Sequence, residues 1–346
     1  MLKKVLAITL ILTLAALTFT GCAPKAAAPA AGAPAESAPA EEVKPEVLKM
    51  SVTTADGSTW TIGAQKFAEL VKEKTGGKVE VKVYPNEQLS GGNQGKGVEM
   101  LMSGAIDLSY HSNIIYSIMD EKFGVISLPW LLPDNETADE KLAGAGGEAI
   151  KKLLLEKGVV GLGFGENGFR QITNSKREIK TLKDMAGLKI RIPGIKMYIS
   201  LYKALGANPT AMNFAEVFTA LQQKAIDGQE NPTDVISSSK LYEVQEYMSV
   251  WNYSYDALIL GINKAKFESF SPEIQKGIQE AADEACKFQV ALNREKGEKQ
   301  VQEFKDKGMK VYEFTAEDMK PFIEAVQSVY TEYEGIMGKE FIDAFR

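Results

Sequence analysis

The sequence predicts an α/β fold whose sheets are covered by helices on both faces. Three observations predict it: short apolar or alternating runs at 47–54, 78–84 and 159–164, helical apolar spacing between them, and turn residues at the changeovers. The composition agrees. The chain has 346 residues, 45% hydrophobic and 25% charged, enough for two domains.

Residues 47–54 read as a strand. Residues 60–74 place Ile62, Phe67, Leu70 and Val71 at helical spacing, and the helix stops at Thr75-Gly76-Gly77. Residues 78–84 alternate valines with polar residues, a second strand, and Pro85-Asn86 starts a turn. A helix follows at 95–103, a strand at 105–110, a helix at 136–156 and a strand at 159–164. The middle repeats the theme, with strands at 169–174, 188–192 and 209–213 and helices at 195–205 and 215–224. Strands return at 246–253 and 257–262. After Pro272 the chain is mostly helical: 273–307, a short strand at 309–314, then helix from Ala316 onward.

The N-terminus is of another kind. Lys3 and Lys4 precede an apolar run over 5–19, interrupted by Thr9, Thr13 and Thr18, which is the layout of a secretory signal peptide over 1–21. The run is shorter than the ~20 residues of a comfortable span. Phe19-Thr20-Gly21-Cys22 resembles a bacterial lipobox, in which Cys22 is acylated; Phe19 is bulkier than the usual residue there. Residues 23–45 are almost entirely Ala, Pro, Gly, Glu, Ser and Lys, too polar and small to offset chain entropy. The expectation is a lipid anchor and flexible tether over 22–46, a folded body over 47–346, and a place outside the cytoplasm at a membrane surface.

Charge and residue counts exclude several functions. Net charge is -6 and no basic block appears, so nucleic acid is not an expected partner. One histidine, His111, and two cysteines, Cys22 and Cys286, exclude a disulfide framework and a zinc site of Cys and His, and no cofactor or metal is expected. Gly163-Phe164-Gly165-Glu166-Asn167-Gly168 spells G-x-G-x-x-G, but a strand follows where a dinucleotide site needs a helix, so the segment reads as a flexible crossover. His111 has no G-x-S-x-G partner, which favours a cleft wall over a catalytic base; an exported hydrolase using His111 is the alternative from another class.

Two features point to a ligand. The runs 98–108 and 218–228 echo each other, each an apolar helix ending in Ala-Ile-Asp; they suggest two similar lobes presenting strand ends to one cleft. Only five of the 40 basic residues are arginines: Arg170, Arg177, Arg191, Arg294 and Arg346. Arginine holds a planar carboxylate through two parallel hydrogen bonds, as lysine cannot. Arg191, at the end of a strand before Pro193-Gly194 and a helix, suits an anion or a surface ion pair; Arg170 carries the same two readings, and Arg177 reads as a solvated charge. Asp227-Gly228-Gln229-Glu230-Asn231-Pro232 sets amides where they could orient a ligand or cap a helix.

The stretches 166–177 (Glu-Asn-Gly-Phe-Arg-Gln-Ile-Thr-Asn-Ser-Lys-Arg), 187–193 (Gly-Leu-Lys-Ile-Arg-Ile-Pro), 204–210 (Ala-Leu-Gly-Ala-Asn-Pro-Thr) and 225–232 (Ala-Ile-Asp-Gly-Gln-Glu-Asn-Pro) resemble, in order and spacing, the extracytoplasmic solute receptors of TRAP (tripartite ATP-independent periplasmic) transporters. Tyr84-Pro85-Asn86, 103–107 and Leu128-Pro129-Trp130 add to the resemblance, which runs from about Val47 to near the C-terminus. It implies a two-lobed, Venus-flytrap fold of the periplasmic-binding-protein type with a long helix spanning both lobes. Lobe one would take about 47–163 plus a later returning segment, lobe two about 169–260, and C-terminal helices 264–346. It implies a monomeric, non-enzymatic receptor that captures an organic acid and delivers it to a small and a large membrane subunit for ion-gradient-driven uptake, or feeds a membrane sensor instead. Arg191 would grip the carboxylate, Arg170 and Asn231 would contact the ligand, and the segment from Tyr110 through His111, Ser112 and Asn113 to Tyr116 would line the first lobe. The candidate aromatic walls are Tyr110, Tyr116, Trp130, Phe164, Phe169, Phe214, Trp251 and Tyr253. One departure stands out: 90–97 reads Ser-Gly-Gly-Asn-Gln-Gly-Lys-Gly, where many relatives have a shorter, more acidic loop, and this loop can reach the cleft.

Overall fold

In a computed structural model, which describes residues 44–346, strands and helices alternate as the apolar periods require. The signal peptide, Cys22 and nearly all of the tether lie outside the described residues.

Two half-sheets share one strand. The first contains β1 (Glu46–Val52), β2 (Val79–Tyr84) and β3 (Leu108–Ser112). Here β1 lies between β2 and β3, parallel to both. The second contains β5 (Lys189–Ile192), β6 (Asn208–Ala211) and β7 (Gly228–Pro232), with β5 between β6 and β7, again parallel. The long strand β4 (Val159–Asn174) joins them. Its first part pairs antiparallel with β9 (Tyr255–Asn263), which pairs in turn with β3; its last part pairs with β7 and with β8 (Tyr247–Val250). The short strand β10 (Lys310–Glu313) adds to β8. Strand β9 thus returns to the first half-sheet.

Helices cover these strands. The first half carries α1 (Thr59–Lys74), α2 (Gln94–Ser103), α3 (Asn113–Tyr116), α4 (Asn135–Ala143) and α5 (Ala145–Glu156). The helix expected over 136–156 is two helices, broken at Gly144. The second half carries α6 (Lys196–Ala204), α7 (Val217–Gln222) and α8 (Thr233–Ser238), and the short α9 (Lys264–Glu268) follows β9. Helix α10 (Pro272–Asp306) runs for 35 residues, long enough at 1.5 Å per residue to reach along both half-sheets. Ser271 caps its N-terminus and Pro272 opens it. It packs on α1 and β4 near its start and on α8 further along. Three helices close the chain: α11 (Ala316–Ala325), α12 (Gln327–Met337) and α13 (Lys339–Asp343).

The Gly-rich motif has a packing explanation. Residues 163–168 are not a flexible crossover but the middle of β4, with register shifts at 161/163 and 166/168. A Cβ on Gly165 would fall onto the Tyr110 hydroxyl, so glycine there lets β4 approach its neighbours closely. Gly168 has φ +96, a backbone that a side chain would strain, at the second shift.

The internal echo is structural. Helix α2 ends at Gly104, Ala105-Ile106-Asp107 follows, and β3 begins; α7 is followed by Ala225-Ile226-Asp227 and β7. Asp107 accepts the backbone N–H of Lys49 in the middle of β1 (2.8 Å), and Asp107 N–H donates to the Lys49 carbonyl. Asp227 repeats this with Lys189 at the head of β5 (2.9 Å), with the same return bond. Each aspartate thus pins the register of one parallel pair.

Candidate functional site

The two parallel pairs, β1 with β3 and β5 with β7, end around one cavity, as open α/β sheets lead one to expect. Thr53 and Thr54 follow β1, Ser112 ends β3, Pro193 follows β5 and Asn231 lies near the end of β7. Trp60 at the start of α1 and Gln94 at the start of α2 complete one wall; Phe214 and Val235 face from the second half. Asn167 and Arg170 from the shared strand β4, with Asp256 from β9, form the floor. A larger cavity of about 1650 Å³ lies elsewhere, between β4, α4 and α10, and holds neither Arg170 nor Arg191.

Arg170 and Arg191 both line the cavity, and both are almost fully buried. Arg170 is fully occupied by the protein. Its Nε and Nη2 form a fork on Glu230, Nη1 donates to Asp256, and Nη2 also donates to the Glu230 carbonyl and to Asn231 Oδ1. Burial alone would lower its pKa, but Glu230 and Asp256 hold it well above the ordinary value. Burial pushes the Asp256 carboxyl up, although Arg170, Ser112 and Asn167 pull it down.

Arg191 has no acidic partner among the described residues. Its Nε and Nη2 donate to the Met212 carbonyl at 3.0 and 2.7 Å, and its guanidinium stands 5.7 Å from the Phe214 ring centroid. Burial lowers its pKa to about 10; Glu230 offsets part of this, and Arg170 adds to it. Nη1 makes no hydrogen bond within the described residues. The local fold explains the exposure of these donors to the cavity. Ile190 and Ile192 flank Arg191 on β5 and point to the opposite face, where both are buried in the core.

Ser112, Asn231 and Phe214 also line the cavity. Ser112 donates to Asp256 (2.5 Å), and Asn231 donates to Gln229 (2.6 Å). Four expected residues sit elsewhere. Tyr110 points to α10, where its hydroxyl donates to Gln289 (3.3 Å). The fully buried His111 ring lies 3.1 Å from Glu87 through Nε2, off hydrogen-bond geometry, and does not line the cavity. Asn113 is structural: it donates to the Phe123 carbonyl and accepts from Ala257 N–H. Trp251 belongs to an aromatic core, 4.8 Å from Tyr253 and 5.6 Å from Phe322 between ring centroids. Arg177, read as a solvated charge, donates to the carbonyls of Asp184 and Ala186 away from the cavity. Sequence reasoning missed Trp60, Asn167 and Asp256. Asn167 bridges the other two, accepting from Trp60 Nε1 (2.9 Å) and donating to Asp256 (2.7 Å).

The family described as bacterial extracellular solute-binding protein, family 7, matches residues 50–335. The chain belongs to this family. Among its relatives, the 2,3-diketo-L-gulonate-binding periplasmic protein YiaO of Escherichia coli is 35% identical over 81% of this chain and 84% of its own. The C4-dicarboxylate-binding periplasmic protein DctP of Rhodobacter capsulatus is 32% identical over 86% of this chain and 90% of its own. Among solved structures, the sugar acid binding protein of Advenella mimigardefordensis, in complex with galactonate, superposes with a TM-score of 0.84 at 34% identity, covering 88% of this chain and 97% of that one. The two half-sheets and α10 are thus the two lobes and long helix of a TRAP solute receptor, and the relatives are binding proteins rather than enzymes. No described helix is long and apolar enough to cross a membrane.

Proposed function

We propose that this receptor captures an organic acid outside the cytoplasm and that Arg191 holds its carboxylate. The observation that carries the reading is a buried guanidinium that faces a cavity with donors to spare and no acid of its own. A carboxylate entering the cavity loses water and must regain charge-assisted hydrogen bonds, which the Arg191 fork supplies as two parallel N–H donors. Relatives named for 2,3-diketo-L-gulonate and C4-dicarboxylates, and a structure holding galactonate, support an acid. Arg170 and Asn231 act as one unit with Glu230, shaping the floor rather than neutralising the ligand.

The receptor delivers its acid to a small and a large membrane subunit, which couple uptake to an ion gradient, and performs no chemistry on it. The lipobox-like Phe19-Thr20-Gly21-Cys22 and the Ala/Pro-rich tether support a lipid anchor on Cys22, which would hold the receptor beside those subunits.

The test begins with thermal-shift screening against organic acids and neutral sugars. A ligand at a hundredfold excess over Kd stabilises by about 2.7 kcal/mol. Carboxylates should score and neutral sugars should not. Calorimetric titration of folded Arg191→Ala with the best acid then decides the clamp: unchanged affinity makes Arg191 a structural residue.

A further inference from the structure

We propose that the cavity selects a small monocarboxylic acid with a compact apolar body, whose other polar atoms accept hydrogen bonds rather than donate them: an oxo acid rather than a dicarboxylate or a polyhydroxy acid. The inference rests on the Arg191 carboxylate reading and narrows it through charge, hydrogen bonding and shape.

Charge limits the ligand to one carboxylate. Arg191 and Arg170 are the only cations in the lining. Arg170 is shared between Glu230 and Asp256, both fully buried, so that cluster carries one negative charge in excess when both acids are ionised. A second carboxylate would find no spare cation and would meet that excess.

Hydrogen bonding disfavours hydroxyl groups. Every side-chain amide or carboxylate oxygen of the lining already accepts from the protein: Asn167 from Trp60, Asn231 from Arg170, Gln94 from Phe214 N–H, and Asp256 from Ser112, Arg170 and Asn167. Each of those amide oxygens keeps at most one lone pair for a ligand, so the several hydroxyl groups of a polyol would compete for few acceptors. Donors remain available instead. Gln94 is 6% exposed, and its Nε2 makes no bond within the described residues; its oxygen is tied to the backbone of Phe214, whose ring carries Arg191. Gln94 opens α2 behind the Asn93 cap, which fixes its place.

Shape gives the body. Trp60, Ile114, Ile115, Pro193 and Val235 supply apolar wall, which suits an apolar body rather than a chain of hydroxyl groups.

The experiment is calorimetric titration of the protein with 3-methyl-2-oxobutanoate, 2-hydroxy-3-methylbutanoate, succinate and gluconate. The oxo acid should bind at least about tenfold more tightly than each of the others, because a site leaves a mismatched polar group unpaired. Gln94→Leu should reduce the oxo-to-hydroxy ratio to less than about threefold, and Arg191→Ala should weaken every acid. Succinate or gluconate binding as tightly as the oxo acid, with the Arg191 dependence kept, overturns the inference and leaves the carboxylate reading standing. Failure of the oxo acid to bind overturns it as well. Tight binding of all acids that ignores Arg191→Ala removes the carboxylate reading, and the inference falls with it. If Gln94→Leu does not fold, the four-ligand ranking in the unsubstituted protein still decides.

Discussion

Arg170 and Arg191 line one cavity, yet the protein treats them in opposite ways. Arg170, on β4, is held by two buried acids and an amide; Arg191, on β5, is held by a single backbone carbonyl. Burial acts on both, but only Arg170 has counter-charges close enough to prevail, which is why one pKa goes up and the other down. The first arginine completes the structure, and the second is left for the ligand to complete. A buried arginine in a binding protein is therefore diagnostic only once its partners are counted.

The largest effect expected from this contrast is on folding. Arg170→Met leaves Glu230 and Asp256 buried without their cation, and breaking a buried pair costs about 3–5 kcal/mol. Urea denaturation should show that loss in the absence of any ligand; a midpoint near wild type would break the comparison. Next is binding. Arg191→Ala should cost roughly 2–5 kcal/mol in ligand affinity, by analogy with truncated buried charge pairs, or about 30-fold or more in Kd. Arg191→Lys should restore part of it, and Arg177→Lys should leave affinity unchanged, as calorimetry would show.

Smaller effects sharpen the contrast. Arg191→Met removes an uncompensated buried charge, so the ligand-free protein should gain about 1 kcal/mol in the same urea experiment. A loss comparable to that of Arg170→Met would mean that Arg191 also serves the fold. The pH dependence follows from the lowered pKa of Arg191. The folded protein releases that proton near pH 10 and the unfolded chain only at higher pH, so the penalty is present below pH 10 and is relieved as pH rises above it. Carboxylate affinity needs the charged form. It should be flat through this group up to about pH 9 and fall by up to about tenfold per pH unit above 10, measured against Arg191→Ala, which should lack the alkaline fall.

Much of the scaffold was legible in local sequence. The helix expected over 273–307 is Pro272–Asp306, because its caps and its apolar period are local. Arg191 stood out because arginine is scarce and its strand is amphipathic. The remainder needed long-range partners. Glu230 was visible only as part of a polar loop over 227–232, yet that segment is β7, a strand buried on both sides by pairing with β4 and β5. Asp256 and Asn167 carry no local mark, since their roles depend on Arg170 and Trp60 far away in the chain. The family resemblance implies that Tyr110, His111, Ser112 and Asn113 line the first lobe. All of β3 is buried, and of Tyr110, His111, Ser112 and Asn113 only Ser112, at the strand's end, lines the cavity.

The twin aspartates also set a puzzle for the newly made chain. Asp107 and Asp227 make the same two bonds to one lysine of a parallel strand, so neither can tell β1 from β5. A swapped docking, with β7 beside β1, would satisfy the same donors and acceptors. What separates right from wrong is nearness along the chain: Met50 aligned with Gly228 would close a loop roughly three to five times longer than either native pairing, worth only about 1 kcal/mol. That margin is thin at equilibrium but useful early, because the nearer twin arrives first and the side-chain packing that follows makes the choice permanent.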